Sequence, residues 1–150
     1  IGSMVGMIPL PHVTGYAAAK SGLKGFSDAL RRELFGSGVR VCHVAPRAVR
    51  TSMNRGKVGI LNRQTRVTED DPHTVAHRIV TAIEHAETDV RIGWPERLFA
   101  VLNAVFPKLV DKGLRKNAAI GEEILKLGHR HTQTTLTTPN RGTSPRSHNA

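Results

Sequence analysis

A chain of 150 residues is long enough for one domain with a real core, and no run of eighteen apolar residues exists to span a membrane. The lone Cys42 excludes an internal disulfide, which fits a reducing cytoplasm, and no secretory signal is visible. A net charge of +10 and a pI near 10.9 invite a nucleic-acid reading. The charge distribution argues otherwise: Arg47, Arg50, Arg55, Lys57, Arg63 and Arg66 crowd one connecting segment, Arg130, Arg141 and Arg146 lie near the end, and no nucleic-acid-binding motif accompanies them.

In chain order, Met4 to Thr14 reads as irregular, interrupted by Gly6, Pro9 and Pro11. His12 in this segment is either a polar reader of a small molecule or a solvated loop histidine. A helix is predicted from Thr14 or Gly15 to Phe35, with Leu23, Phe26, Leu30 and Leu34 as its apolar stripe and Gly36-Ser37-Gly38 as its stop. Val39 to Val44 reads as a strand apolar on both faces, closed by Pro46. A loop from Arg47 to about Asp70 follows, and its arginines form either an anion site or a solvated lid.

Asp71-Pro72 supplies an N-cap and first-turn proline for a second helix, whose apolar face would be Val75, Ala76, Ile79, Val80 and Ile83. His73 and His77 stand four apart, a metal-ligand spacing, but no third ligand accompanies them and no metal is expected. Val90 to Gly93 is a short last strand. A final amphipathic helix is predicted from Trp94 to about Lys116, bent at Pro107. Its apolar face is wider than one stripe, so core packing or a subunit contact stands beside a membrane-surface alternative suggested by Lys108, Lys112, Arg115 and Lys116. A short helix at Ile120 to Leu127 and a disordered tail from His129 complete the expectation.

The chemistry concentrates at the start. Tyr16 and Lys20 are four apart in a run of strong helix propensity, so both side chains leave one face. A phenol with a pKa of about 10 is a poor acid or base at neutral pH, but a neighbouring ammonium favours its anion. Such a tyrosine exchanges a proton with a carbonyl or alcohol oxygen. The hydroxyl of Ser3, from a separate segment, is placed to donate to the same oxygen.

The ordered set Ser3, Gly6, Tyr16, Lys20, Pro46 and Thr51, with Ser21-Gly22-Leu23-Lys24-Gly25-Phe26 and Val39 to Pro46 between, resembles the short-chain dehydrogenase/reductase family. The resemblance covers about the first third of the chain. It implies an α/β fold, the C-terminal part of a Rossmann-type doubly wound parallel sheet, over residues 1–128, with residues 129–150 as the tail. It also implies hydride transfer between NADP or NAD and a small alcohol or carbonyl substrate, with Ser3, Tyr16 and Lys20 catalytic. The nicotinamide end of the cofactor would be held by Tyr16, Lys20, Pro46, Arg47, Val49 and Thr51, Arg47 standing where the family has glycine. Met7, Ile8, Leu10 and His12 would wall the substrate pocket, and the first long helix would pair with a second subunit in a homodimer or homotetramer.

No Gly-x-x-x-Gly-x-Gly phosphate loop, Asn-Asn-Ala-Gly segment or following ribose-reading acid occurs in these residues. The expectation is therefore the C-terminal half of a cytoplasmic enzyme, inactive alone, with its cofactor-binding half missing. The basic loop favours NADP. Two rivals are kept: a truncated interaction module that keeps the dimerising helix, and, ranked last, a basic nucleic-acid or membrane-surface binder.

Overall fold

The computed structural model describes residues 1–52 and 56–136. Arg55, Arg141 and Arg146 lie outside the described residues. The fold is mostly helical, built around a small parallel sheet: strand β1, His43–Ala45, pairs with β2, Asp89–Arg91, in the register His43 to Asp89, Val44 to Val90 and Ala45 to Arg91.

The chain start runs alongside the other edge of β1. Gly2 N–H donates to Val44 O at 2.7 Å and Met4 N–H to Pro46 O at 3.0 Å, and the matching two-residue steps make the pairing parallel. A single 3-10 turn, Met4–Gly6, follows, and helix α1 spans Thr14–Glu33 close to its expected limits. It stops before Gly36 and Gly38, both at positive φ, where glycine carries no Cβ penalty.

Strand β1 is shorter than the predicted Val39–Val44. Its apolar character reaches back to Val39, but ladder bonding begins where His43 N–H meets Thr88 O at 2.9 Å, and Val39 is exposed. The predicted loop after it is also partly ordered. Helix α2, Gly56–Gln64, lies within it, and Val49 forms an isolated parallel bridge with Asp70. Two glycines and a weak apolar period hid α2 from a periodicity reading.

Helix α3, Pro72–Glu84, begins as expected, with the Asp71 carboxylate accepting from the N–H groups of His73 at 3.0 Å and Thr74 at 3.2 Å. Val75 and Ala82 are its buried residues, whereas Ala76, Val80 and Ile83 are exposed, so the packed face is narrower than the sequence suggested. His73 and His77 are exposed.

The final helix is two helices: α4, Trp94–Val105, and α5, Pro107–Leu136. Pro107 has no N–H and pushes the preceding residue towards extended geometry, and Phe106 accordingly takes φ −130°. Helix α5 absorbs the separate helix expected at Ile120–Leu127 and continues to Leu136.

Alternation along β1 divides the core. Val44, with Val90 and Ala82, packs on one face beside Ile79, Ile92 and Cys42, while Ala45 packs with Met4, Ile8 and Ala100. The second cluster joins the chain start to α4.

Candidate active site

Helix α1 and the chain start meet through unusually close backbone packing. A Cβ at Gly6 would stand 2.8 Å from the carbonyl carbon and oxygen of Lys20, so only glycine fits without a shift. Ser21 Oγ donates to Gly6 O at 2.7 Å and fixes the contact. Lys20 Nζ donates to Ile1 O at 3.1 Å and lies 5.7 Å from the centroid of the Tyr16 ring. The ammonium is thus held between the phenol and the segment that carries Ser3.

Tyr16 is 44% exposed on the first turn of α1, open to a reacting molecule. Ser3 is buried, with extended backbone, and its Oγ accepts from Val5 N–H at 3.2 Å. That bond uses an oxygen lone pair and leaves the hydroxyl proton to donate. Lys20 therefore lies within cation–π range of the Tyr16 ring, and the segment that carries Ser3 is tied to Lys20 through the backbone at Ile1 and Gly6.

The turn after β1 is held by an ion-pair hub. Arg47 Nε donates to Asp70 Oδ2 at 2.9 Å and its Nη2 to Asp70 Oδ1 at 2.6 Å, a two-pronged pair, while Nη1 reaches Glu96 Oε2 at 3.4 Å. The Asp70 hydrogen bond, against the opposing effect of burial, raises the already high guanidinium pKa. The guanidinium thus ties the exit of β1 to the end of the loop and to α4. Pro46 is bonded back to Met4, Val49 is bridged to Asp70, and Thr51 is exposed. Asp70 and Glu96 were not singled out in the sequence; their only signal was being acids that follow a basic segment.

Ile8 is buried in the Met4, Ala45 and Ala100 cluster, with Met7 and Leu10 packed against it. Asn103 Nδ2 on α4 donates to Met7 O at 3.0 Å, a positioning contact that sequence gave no hint of. Leu10 also lines an open groove of about 310 Å³ with Leu114, Asp111 and Arg115 of α5. His12 sits at φ 68° with Nε2 2.7 Å from Ala118 O, its ring against Gly121, so it docks the pre-helix loop on α5.

His43 is buried beneath Gly2, with Nδ1 3.5 Å from Asp89 Oδ1, long for a hydrogen bond, and neither ring nitrogen has a good partner. Burial lowers its pKa, with Asp89 pulling the other way.

Residues 1–59 match the family model described as short chain dehydrogenase. The chain is 31% identical over 121 residues to an uncharacterized oxidoreductase, YxnA, of Bacillus subtilis, covering 77% of this chain and 34% of that protein. It is also 31% identical over 122 residues to dehydrogenase/reductase SDR family member 7B of Danio rerio, covering 68% and 39%. A shorter stretch of 55 residues is 47% identical to 3-oxoacyl-(acyl-carrier-protein) reductase FabG of Escherichia coli, covering 37% and 22%. No solved structure matches. The small parallel sheet flanked by helices defines an α/β chain. It belongs to the short-chain dehydrogenase/reductase family, and it spans little more than a third of the length of the first two relatives.

Proposed function

We propose that this chain supplies the proton-transfer residues of a nicotinamide-dependent oxidoreductase acting on a small alcohol or carbonyl compound. The observation that carries the reading is the Tyr16–Lys20 pair on one face of α1, with the Ser3 segment tied to Lys20 through Ile1 O. Tyr16 donates a proton to the substrate oxygen on reduction and removes it on oxidation. Ser3 donates a hydrogen bond to that oxygen as charge develops. Lys20 places its positive charge beside the phenol.

The donor set fits the nicotinamide end of a dinucleotide. Lys20 Nζ has N–H groups beyond the one given to Ile1 O, suited to ribose hydroxyls, and Thr51 is exposed at the carboxyl end of β1, suited to a carboxamide. When bound, the cofactor supplies the hydride. Arg47, already engaged by Asp70 and Glu96, shapes the turn, and Val49 anchors it. The glycine-rich phosphate cradle is not among these 150 residues, so the reading places it in sequence that the relatives have and this chain does not cover. NADP is preferred by the basic loop, and a cytoplasmic, oligomeric enzyme is the form proposed.

The test is cofactor binding and turnover. NADPH and NADH are titrated against this chain and against the complete translation product of its gene, then carbonyl compounds are screened for cofactor oxidation. Binding and turnover in the complete product support the reading. Neither cofactor binding to it would overturn the reading.

A second reading, self-association without catalysis, is favoured by the exposed face of α1. A methyl group at Gly22 or Gly25 would meet no atom within 4 Å, and Phe26 beside them is exposed. A mass that rises with concentration, without cofactor binding, would favour it.

A further inference from the structure

Helix α4 carries apolar residues where a surface helix ordinarily carries polar ones. Its inner side is set by buried Ala100, by Asn103 bonded to Met7 and by Glu96 bonded to Arg47. At 100° per residue, Trp94, Leu98, Val101 and Val105 fall on the opposite side. They are spaced four, three and four apart and are 50% to 76% exposed. Phe106 and Leu109 at the α4–α5 junction are exposed as well. A contiguous patch of this kind calls for a partner.

The residues around it state the partner's charge. Arg97 lies at the strip's edge, three after Trp94 and four before Val101, and is exposed. Lys108, Lys112, Arg115 and Lys116 are exposed in the first turns of α5, with Lys112 and Lys116 three and seven residues from Leu109. Among these turns the acids are Asp111 and Glu96, and Glu96 is turned inward onto Arg47.

We propose that this face is a peripheral contact for an anionic lipid surface, with the α4 strip entering the boundary between headgroups and acyl chains and the five cations meeting the headgroups. The long basic side chains lay their stems along the apolar strip and keep their charges at the headgroups. Trp94 stands at one end of the strip, a side chain suited to that boundary. No described helix is long and apolar enough to cross a membrane, so the contact lies on the surface and does not span it. A second copy of the chain fits less well, because a two-fold pairing of this face brings like-charged rims together.

Trp94 is the only tryptophan, so its fluorescence reads the contact directly. The chain is mixed with phosphatidylcholine vesicles with and without phosphatidylserine. The expected result is a blue shift and quenching by brominated acyl chains with phosphatidylserine present, both fading as salt rises. The Leu98→Glu/Val101→Glu variant should lose binding while its circular dichroism stays helical. Lys112→Gln/Lys116→Gln should weaken partition roughly fivefold per cation removed. Sedimentation with vesicles but no change at Trp94 would overturn insertion of the strip. A concentration-dependent doubling of mass, abolished by Leu98→Glu/Val101→Glu, would assign the face to a second copy and overturn the lipid contact. None of these readouts involves cofactor, so the inference stands or falls separately from the catalytic proposal.

Discussion

Gly6 and Gly22 are both glycines near the candidate site, yet they have opposite consequences. At Gly6 an added methyl meets the Lys20 carbonyl at 2.8 Å, backbone that cannot swing away, so Gly6→Ala should destabilise the protein by about 1–3 kcal/mol. At Gly22 the space is open and the backbone helical, so Gly22→Ala should stabilise it by about 0.5–1 kcal/mol. Thermal unfolding of the two variants checks both signs. His43 gives a pH signature. Its folded pKa lies below the unfolded value because burial disfavours the charged ring. The unfolded chain then binds more protons as pH falls below about 6.5. Stability is full above that value and falls as pH drops towards the folded pKa, by at most about 1.4 kcal/mol per unit from this group. Melting curves between neutral and mildly acidic pH should show that loss, and His43→Leu should flatten it. At this scale the placement of Tyr16 and Lys20 on one helix face was legible in the sequence, because a four-residue spacing within a helix fixes it, and Lys20 does lie over the Tyr16 ring. The sequence did not display His43 or the role of Asn103 as a tether, since burial and distant pairing are properties of the fold.

Elements with strong local signals were legible. Helix α1 carries its period and glycine stop, and α3 its period and N-cap, in contiguous sequence, and Asp71 makes the expected cap. Asp71→Ala should cost about 1 kcal/mol, seen as a lower melting temperature with α3 amides exchanging faster. Strand β1 was overextended because apolar residues mark where a strand is permitted, whereas its limits depend on the neighbouring chain. The Arg47 hub was invisible for a related reason: its partners lie 23 and 49 residues away. Removing the guanidinium leaves Asp70 and Glu96 partly buried without it. Arg47→Ala should therefore cost about 1–3 kcal/mol and loosen the segment from Ala48 to Asp70. Faster hydrogen exchange at Arg50 and Asp70, whose N–H groups close that bridge, is the check. Unchanged exchange there would show that the bridge stands without the hub.

Across the whole molecule, the chain start, β1 and β2 lie in one parallel layer with apolar clusters against β1 on both faces. The layer brings the Ser3 segment beside the start of the post-β1 turn at Pro46, while Lys20 of α1 reaches that segment at Ile1 O. The order of residues along the chain revealed the family, but not how the long α5 would be used. In the fold, α5 carries His12 on Ala118 and Gly121 and closes the groove beside Leu10, so a C-terminal helix supports a loop near the first residues. The most direct test of the proposed chemistry is the turnover of Tyr16→Phe in the complete translation product, with NAD(P)H and a carbonyl substrate. Turnover should fall by about 10²-fold to 10⁴-fold, the loss expected for a general acid, while cofactor affinity is retained. Full turnover by the variant would show that the proton comes from another group and that the role assigned to Tyr16 is wrong.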